Sequence, residues 1–341
     1  MTNLQKVGQI NQVKSSTLLL DTLAQLSTKP LKLNDSKDFQ NKKLTKETLQ
    51  KRAKSKAFTL SYLFDLIDLK SDLNKSYWQT YHCSSAILQE GKTLTSRYCN
   101  QRWCLTCNRI RTAKIINGYK KEIDLFEEPQ FVTLTSLNVK GYNLRGEIES
   151  MNKTMSKISN NLKRRHNVKL KALRKYECTY NKVTNEYHPH FHLILEGKDN
   201  ANILVNEWLK HNKTSKSAGQ DIQEADSGTM TELCKYFTKI VGKESDYNPK
   251  ALDIMFKASK GKRTFQPMGI KKDVCEDIEE IEKQEANFLE SREARYVYHN
   301  ASHDWICEYG VLLSEYEPTK EELKFINGEY KNQKSYDNKR G

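Results

Sequence analysis

Three of the chain's eight histidines fall within five residues, His188-Pro189-His190-Phe191-His192, and Leu193-Ile194-Leu195 follows directly. On a β-strand successive side chains point to opposite faces. The three imidazoles therefore share one face, and Phe191, Leu193 and Leu195 share the other. Two imidazoles at i and i+2, roughly 6–7 Å apart along the strand, can hold one metal ion between them. A single histidine on a strand would read as structural; three on a strand that runs into core read as metal ligands. Imidazole alone does not choose the metal, and a third ligand has to come from a neighbouring strand. Tyr176–Tyr180 and Tyr187–Leu195 predict a hairpin across the polar turn 181–186. If that turn centres on Thr184-Asn185, Glu177 faces His192. A one-residue slip would turn Glu177 to the wrong face and leave it a surface carboxylate. Two histidines and one carboxylate with open positions suit Mg²⁺ or Mn²⁺ bound together with a phosphate oxygen.

A second constellation is Glu232-Leu-Cys-Lys235-Tyr236-Phe-Thr-Lys239. On a helix, Glu232 and Tyr236 are i, i+4 neighbours and Lys239 follows three residues on, so a carboxylate, a phenol and an ammonium share one face. A tyrosine can serve as a nucleophile when a cation stabilises its phenolate. By itself this spacing is common among helices. A third is Cys83, Cys99, Cys104 and Cys107, with the spacing Cys99-x4-Cys104-x2-Cys107. Four thiolates can close a tetrahedral structural zinc site. His82 is a rival ligand to Cys83, and unmetallated thiols are the competing reading. Arg97, Arg102, Arg109 and Arg111 surround this stretch and can touch phosphates. Cys178, Cys234, Cys275 and Cys307 are isolated and read as small core residues.

These groups need elements to position them. Phe131–Thr135 alternates as a strand should. Ile148, Met151, Met155, Ile158 and Leu162 are spaced 3, 4, 3, 4, which is one face of a helix packed on the core. A second helix is predicted over Thr229–Ile240, and a weak one over Leu18–Leu26. Residues 271–294 are acidic and predict an exposed helix; the tail from Lys331 is polar. The Lys/Arg-rich stretch with Arg164, Arg165, Lys169, Lys171, Arg174 and Lys175 predicts phosphate contacts, against the alternative of a solvated helix end. Tyr98, Trp103, Tyr176 and Tyr187 can stack on unpaired bases or fill core.

Composition bounds the rest. The 341 residues carry 57 Lys+Arg against 43 Asp+Glu, a net charge of +14, and mean hydropathy is −0.80. Such a balance favours a polyanionic partner. The apolar runs are too short for a membrane span or a signal peptide, so the expected location is the cytoplasm, where disulfides are not expected. No Walker A or Rossmann glycine pattern occurs, so ATPase or helicase activity is not encoded. Residues 1–56 hold 12 basic and 4 acidic residues and read as a mobile arm.

Phe131-Val-Thr-Leu-Thr135, His188-Pro-His-Phe-His192 and Lys235-Tyr236-x-x-Lys239, in this order, resemble the plasmid rolling-circle replication initiators of the HUH endonuclease superfamily. The resemblance covers roughly residues 80–245. It implies that His190 and His192 bind a divalent metal, with His188 as a helper. It implies that Tyr236 is the nucleophile and that Glu232, four residues before it, activates water to end a replication round, as in the single-tyrosine branch. Lys239 and Lys235 would hold the phosphate. The implied activity is origin-specific nicking and joining of DNA through a 5′-phosphotyrosine. The implied partners are single-stranded or hairpin origin DNA, with a host helicase and polymerase, and no membrane or small-molecule substrate.

The expected fold is α+β: a central antiparallel sheet of HUH or RRM-like palm type, with the histidine strand in the middle beside Phe131–Thr135. Helices would cover one face, and a small Cys-rich zinc module would precede the sheet. The expected organisation is a basic, largely flexible arm over 1–75, the Cys-rich module over 76–125, the nuclease core over 126–245 and a helical region over 246–341. Competing readings are a transposase or relaxase of the same superfamily, a non-catalytic zinc-containing DNA-binding regulator, and a metal hydrolase of small substrates, which would leave the charge and the tyrosine helix unused.

Overall fold

The period-two runs pair as strands and the period-3.6 runs pack over them. A computed structural model describes residues 45–90, 93–226, 228–234, 247–272 and 294–328. Along the chain the elements are α1 (Lys46–Asp68), α2 (Asn74–Tyr81), β1 (Ala86–Glu90), β2 (Thr93–Ser96), α3 (Leu105–Ile123), β3 (Pro129–Thr135), α4 (Leu144–Arg165), β4 (Ala172–Asn181) and β5 (Glu186–Glu196). There follow α5 (Lys198–His211), β6 (Asp221–Glu224), α6 (Thr229–Cys234), α7 (Pro249–Ser259), β7 (Phe265–Met268), β8 (Ala294–His299), β9 (Asp304–Cys307) and α8 (Lys320–Ile326). The fold is α+β with antiparallel sheets. The chain divides into two units, one of residues 1–53, 85–96 and 281–316, the other of 54–84, 97–280 and 317–341.

In the smaller unit the sheet order is β2-β1-β8-β9. Its core joins Leu49 and Ala53 to Ile87, Leu94, Tyr296, Trp305, Leu313 and Tyr316. The larger unit carries a five-stranded sheet in the order β6-β3-β5-β4-β7. The histidine strand β5 is thus central and β3 is its neighbour, as expected. All five apolar residues of the 3, 4, 3, 4 stripe on α4 are buried.

Three expectations change. The first is the hairpin register. Glu177 pairs with His190, and Lys175 with His192. The turn lies one position earlier than Thr184-Asn185, which moves each partner by two residues. A shift of two preserves the face, so Glu177 still points with the imidazoles. Second, helices cover both faces of the sheet. Phe191 packs on Trp208 of α5, while Ile194 and Leu173 on the opposite face join Ile123 of α3 and Met230 and Leu233 of α6. Ile194 lies on the histidine face of β5, so the central strand is apolar on both sides and needs cover on both. Third, the basic arm expected over 1–75 is helical from Lys46. Leu49, Ala53, Ala57, Leu60, Leu63 and Leu66 on α1 are buried, a helical stripe that the surrounding lysines obscure. Residues 1–44, which hold the weak Leu18–Leu26 helix, lie outside the described residues. So do nearly all of the acidic 271–294 segment, the tail from Lys331 and the last six residues of the Thr229–Ile240 helix.

One glycine is dictated by geometry. Gly269 ends β7 at φ +65°, and a Cβ there would collide with the carbonyl oxygen of Leu170. Gly269→Ala is expected to cost about 2–3 kcal/mol from strain and backbone displacement together. A lowered urea midpoint with an unchanged slope would show it.

A candidate metal centre on the central strand

The site sits where β4 and β5 cross the middle of the sheet. Nε2 of His190 lies 3.6 Å, and Nε2 of His192 3.5 Å, from the same Oε2 of Glu177. One donor atom from each of the three residues falls within 4.8 Å of the others. Each ring is held by its other nitrogen. Nδ1 of His190 is 3.0 Å from the His188 carbonyl oxygen, which can only accept, so this nitrogen carries the proton and Nε2 is left with its lone pair. Nδ1 of His192 is 3.1 Å from the Thr133 hydroxyl, and the Phe131 ring stacks on that imidazole at 5.2 Å. Outer partners of this kind orient metal-binding imidazoles. Glu177 and His190 are buried. Burial alone would push the Glu177 carboxyl up. The two imidazoles beside it and the charge of Lys175 override it and hold the group well below the usual carboxylate range. A buried ionised carboxylate with two convergent imidazole Nε2 atoms fits a divalent cation with positions left open.

Lys175 completes the electrostatics. Its ammonium is buried, lies 2.6 Å from Oε1 of Glu177 and donates to the backbone carbonyl of Leu233 on α6. The expectation that Lys175 contacts phosphate is corrected: its charge is committed inside the protein. Arg174 is corrected likewise. It points to the other face, donates to Asn152 and Gln266 and stacks on Phe191. Alternation on β4 separates the two, but both faces are buried. Arg164, Arg165, Lys169 and Lys171 are exposed and stay available to a polyanion. His188 is half-buried and turned to Asn138, with Nδ1 2.8 Å from its side-chain oxygen. It is not one of the converging ligands.

Of the tyrosine constellation, only backbone through Cys234 is described, and Glu232 lies on α6. Lys235, Tyr236 and Lys239 fall outside the described residues. The described chain stops two residues before Tyr236, just after the Leu233 carbonyl that Lys175 holds beside Glu177. Motif reading gave no supporting role at this site to Thr133, Phe131, Asn138 or Lys175. The alternation of β3 against β5 could have singled out Thr133 and Phe131, because both face the imidazoles.

The four cysteines form a second cluster. Cys83, Cys99, Cys104 and Cys107 bring their sulfurs within 4.8 Å of one another. Sγ of Cys107 lies 3.5 Å from that of Cys83 and 3.6 Å from that of Cys99, and Sγ of Cys104 lies 3.6 Å from that of Cys83. Zinc–sulfur bonds of about 2.3 Å in a tetrahedron put sulfurs about 3.8 Å apart, so these spacings fit a shared ion closely. Backbone N–H groups of Cys99 and Gln101 point at Sγ of Cys83 and Cys99. The buried Lys56 ammonium donates to the Tyr81 and Cys83 carbonyls. His82 is exposed and outside the cluster. Cys178 is buried, its thiol pushed up to about 12 by burial; Cys307 is half-buried, while Cys275 and the Cys234 side chain lie outside the described residues. Trp103, Tyr176 and Tyr187 are buried and belong to the core.

Residues 90–199 match the sequence profile of a family described as replication protein. That span holds Glu177, His190 and His192, and three of the four clustered cysteines. The chain is 26% identical to a protein rep of Staphylococcus aureus, over 47% of this chain and 76% of that protein. It is 32% identical to a protein rep of Lentilactobacillus hilgardii, over 33% of this chain and 39% of that protein. A protein rep of Bacillus amyloliquefaciens is 33% identical over 32% of this chain and 33% of its own length. Against the latter two the chain spans well under half of the relative. No solved structure matches significantly. Among the described residues no helix is long and apolar enough to cross a membrane. These findings support a replication protein.

Proposed function

We propose that this chain is a plasmid replication initiator that nicks and rejoins one DNA strand at an origin, as a single-tyrosine member of the HUH endonuclease superfamily. The observation that carries the reading is the convergence of Glu177, His190 and His192 on the central strand, inside the span that matches the replication family. A bound Mg²⁺ or Mn²⁺ would supply polarisation of the scissile phosphate and neutralise charge that develops in transfer. The donor set by itself suits Fe²⁺ equally; the preference for Mg²⁺ or Mn²⁺ follows from phosphodiester chemistry and the basic chain.

The residues then divide the work. Glu177, His190 and His192 would hold the ion, and Thr133, Phe131 and Lys175 keep these side chains in place. Tyr236 attacks the scissile phosphorus: its phenolic oxygen–phosphorus bond forms, the bond from phosphorus to the 3′ oxygen breaks, the phenol loses its proton and the 3′ oxygen gains one. The product is a 5′-phosphotyrosine and a free 3′-OH that a host polymerase can extend, with a host helicase opening the duplex. The ester conserves the bond energy, so the strand can be rejoined without ATP. Lys239 and Lys235 steady the phosphate, and Glu232 activates the water or terminal hydroxyl that ends the round. The Leu233 carbonyl, held by Lys175 beside Glu177, lies three residues before Tyr236, and this supports the assignment.

The test uses the full chain, a labelled single-stranded oligonucleotide from the origin, Mn²⁺ and a denaturing gel. Wild type is expected to give a protease-sensitive shifted band, and Tyr236→Phe none while retaining DNA affinity. An undiminished band in Tyr236→Phe moves the nucleophile elsewhere. Tight, salt-sensitive binding by wild type with no adduct favours the non-catalytic regulator instead.

A further inference from the structure

Within the larger unit, α3, the loop 100–103 between Cys99 and Cys104 and the α7–β7 connection line a hollow of about 610 Å³. Six cationic side chains line it: Arg102, Arg111, Lys114, Lys260, Arg263 and Lys272. Among the described residues no carboxylate does. Arg102 donates to the Ser259 carbonyl and Arg111 to the Asn100 carbonyl, so both are fixed in place without losing their charge. Lys260, Arg263 and Lys272 are exposed. The cations crowd one another: burial, then Lys272 and Arg111, push the Lys114 ammonium down. Like charges gathered in one concavity with no carboxylate among its described lining residues gain nothing from charge pairing. They raise the local potential for a polyanion.

The lining also carries rings, with Tyr119 and Phe265 partly exposed among the cations. Phe265 connects the hollow to the metal centre. It lies on β7 opposite Lys175, and the Lys175 ammonium sits 5.5 Å from its ring. One side chain therefore separates the hollow from the lysine that holds Glu177. A cavity of this size has the scale of a small-ligand pocket. It admits flipped or unpaired nucleotides but not a duplex, and a basic groove with stacking rings is what a single strand needs.

We propose that this hollow binds the single-stranded DNA that flanks the scissile phosphate, with Arg111, Lys114, Arg263 and Lys272 on backbone phosphates and Tyr119 or Phe265 stacked on a base. The assignment rests on the nicking reading only for the word scissile; strand binding itself is measured apart from chemistry. The experiment titrates full-length wild type and the Lys114→Gln, Arg263→Gln, Lys272→Gln triple variant with a fluorescent oligo-dT at several salt concentrations. These three side chains bond to no other described residue, and none belongs to the metal centre. Losing three phosphate contacts is expected to reduce the salt slope by about 2, at roughly 0.7 per contact for single strands, and to weaken binding on the order of tenfold or more at low salt. A second measurement photo-cross-links an oligonucleotide carrying 5-iododeoxyuridine and expects attachment at Tyr119 or Phe265. Unchanged affinity and slope in the triple variant overturn the proposal. So do cross-links confined to residues 163–171, or preferential loss of duplex rather than single-strand binding. If wild type binds oligo-dT through the hollow but never forms an adduct with origin DNA, the nicking reading fails and the binding site stands.

Discussion

Replacing His190 and His192 together by alanine is expected to abolish metal-dependent cleavage of an origin strand, a loss of at least about 10³-fold, or about 4 kcal/mol of transition-state stabilisation. The geometry makes the loss specific. Both Nε2 atoms point at one oxygen of Glu177, so removing them leaves a single carboxylate already paired with Lys175, which cannot hold a divalent ion alone. DNA affinity should persist, because the exposed lysines and arginines that supply it lie elsewhere. A Mn²⁺ titration by calorimetry gives the second readout: heat of binding in wild type and none at this site in the variant. Glu177→Gln keeps the side-chain shape but removes the charge, and is expected to weaken Mn²⁺ binding through the same site. Nicking that stays metal-dependent in the double variant would sink the assignment of these ligands.

The second large effect concerns the cysteines. Protein purified without chelator is expected to contain one zinc per chain, and Cys107→Ser is expected to lose it. The consequence should be structural. A structural zinc site contributes on the order of 10 kcal/mol of folding free energy at neutral pH. Here Cys104 precedes the first residue of α3, and Cys107 lies in its first turn. Loss of the ion would leave four sulfurs crowded at about 3.5 Å, beside a Lys56 ammonium that is held by the Tyr81 and Cys83 carbonyls and acts on the sulfurs through its field. A strong chelator should therefore lower the melting temperature of wild type by well over 10 °C and leave Cys178→Ser behaving as wild type does. Zinc-free protein whose melting is indifferent to chelator would return the cluster to ordinary buried thiols.

Much of the site was legible in the residue spacing, for an identifiable reason. Strand alternation has a fixed period of two, so His190 and His192 could be placed on one face from spacing alone, and Glu177 beside them only once a turn position was assumed. The face survived although the turn position was off by one, because that error moves the partner by two. The 3.6 period likewise placed Ile148, Met151, Met155, Ile158 and Leu162 on a buried stripe. What local pattern could not supply was context. Arg174 and Lys175 read as surface cations in a basic run, yet Arg174 stacks on Phe191 and Lys175 neutralises Glu177. Trp103, Tyr176 and Tyr187 carry no mark that separates a stacking platform from a core ring. Leu49 to Leu66 on α1 were hidden by their lysines.

By itself the amino-acid sequence determined the donor types and the common face of the histidines, since these depend only on chemistry and on a backbone period of two residues. Tertiary structure decided which His partner Glu177 meets, that Lys175 guards it, that helices close both sides of the sheet, and that six cations from distant parts of the chain line one hollow. Those outcomes depend on chain segments brought together by packing, and no local period encodes a distance between residues far apart in sequence.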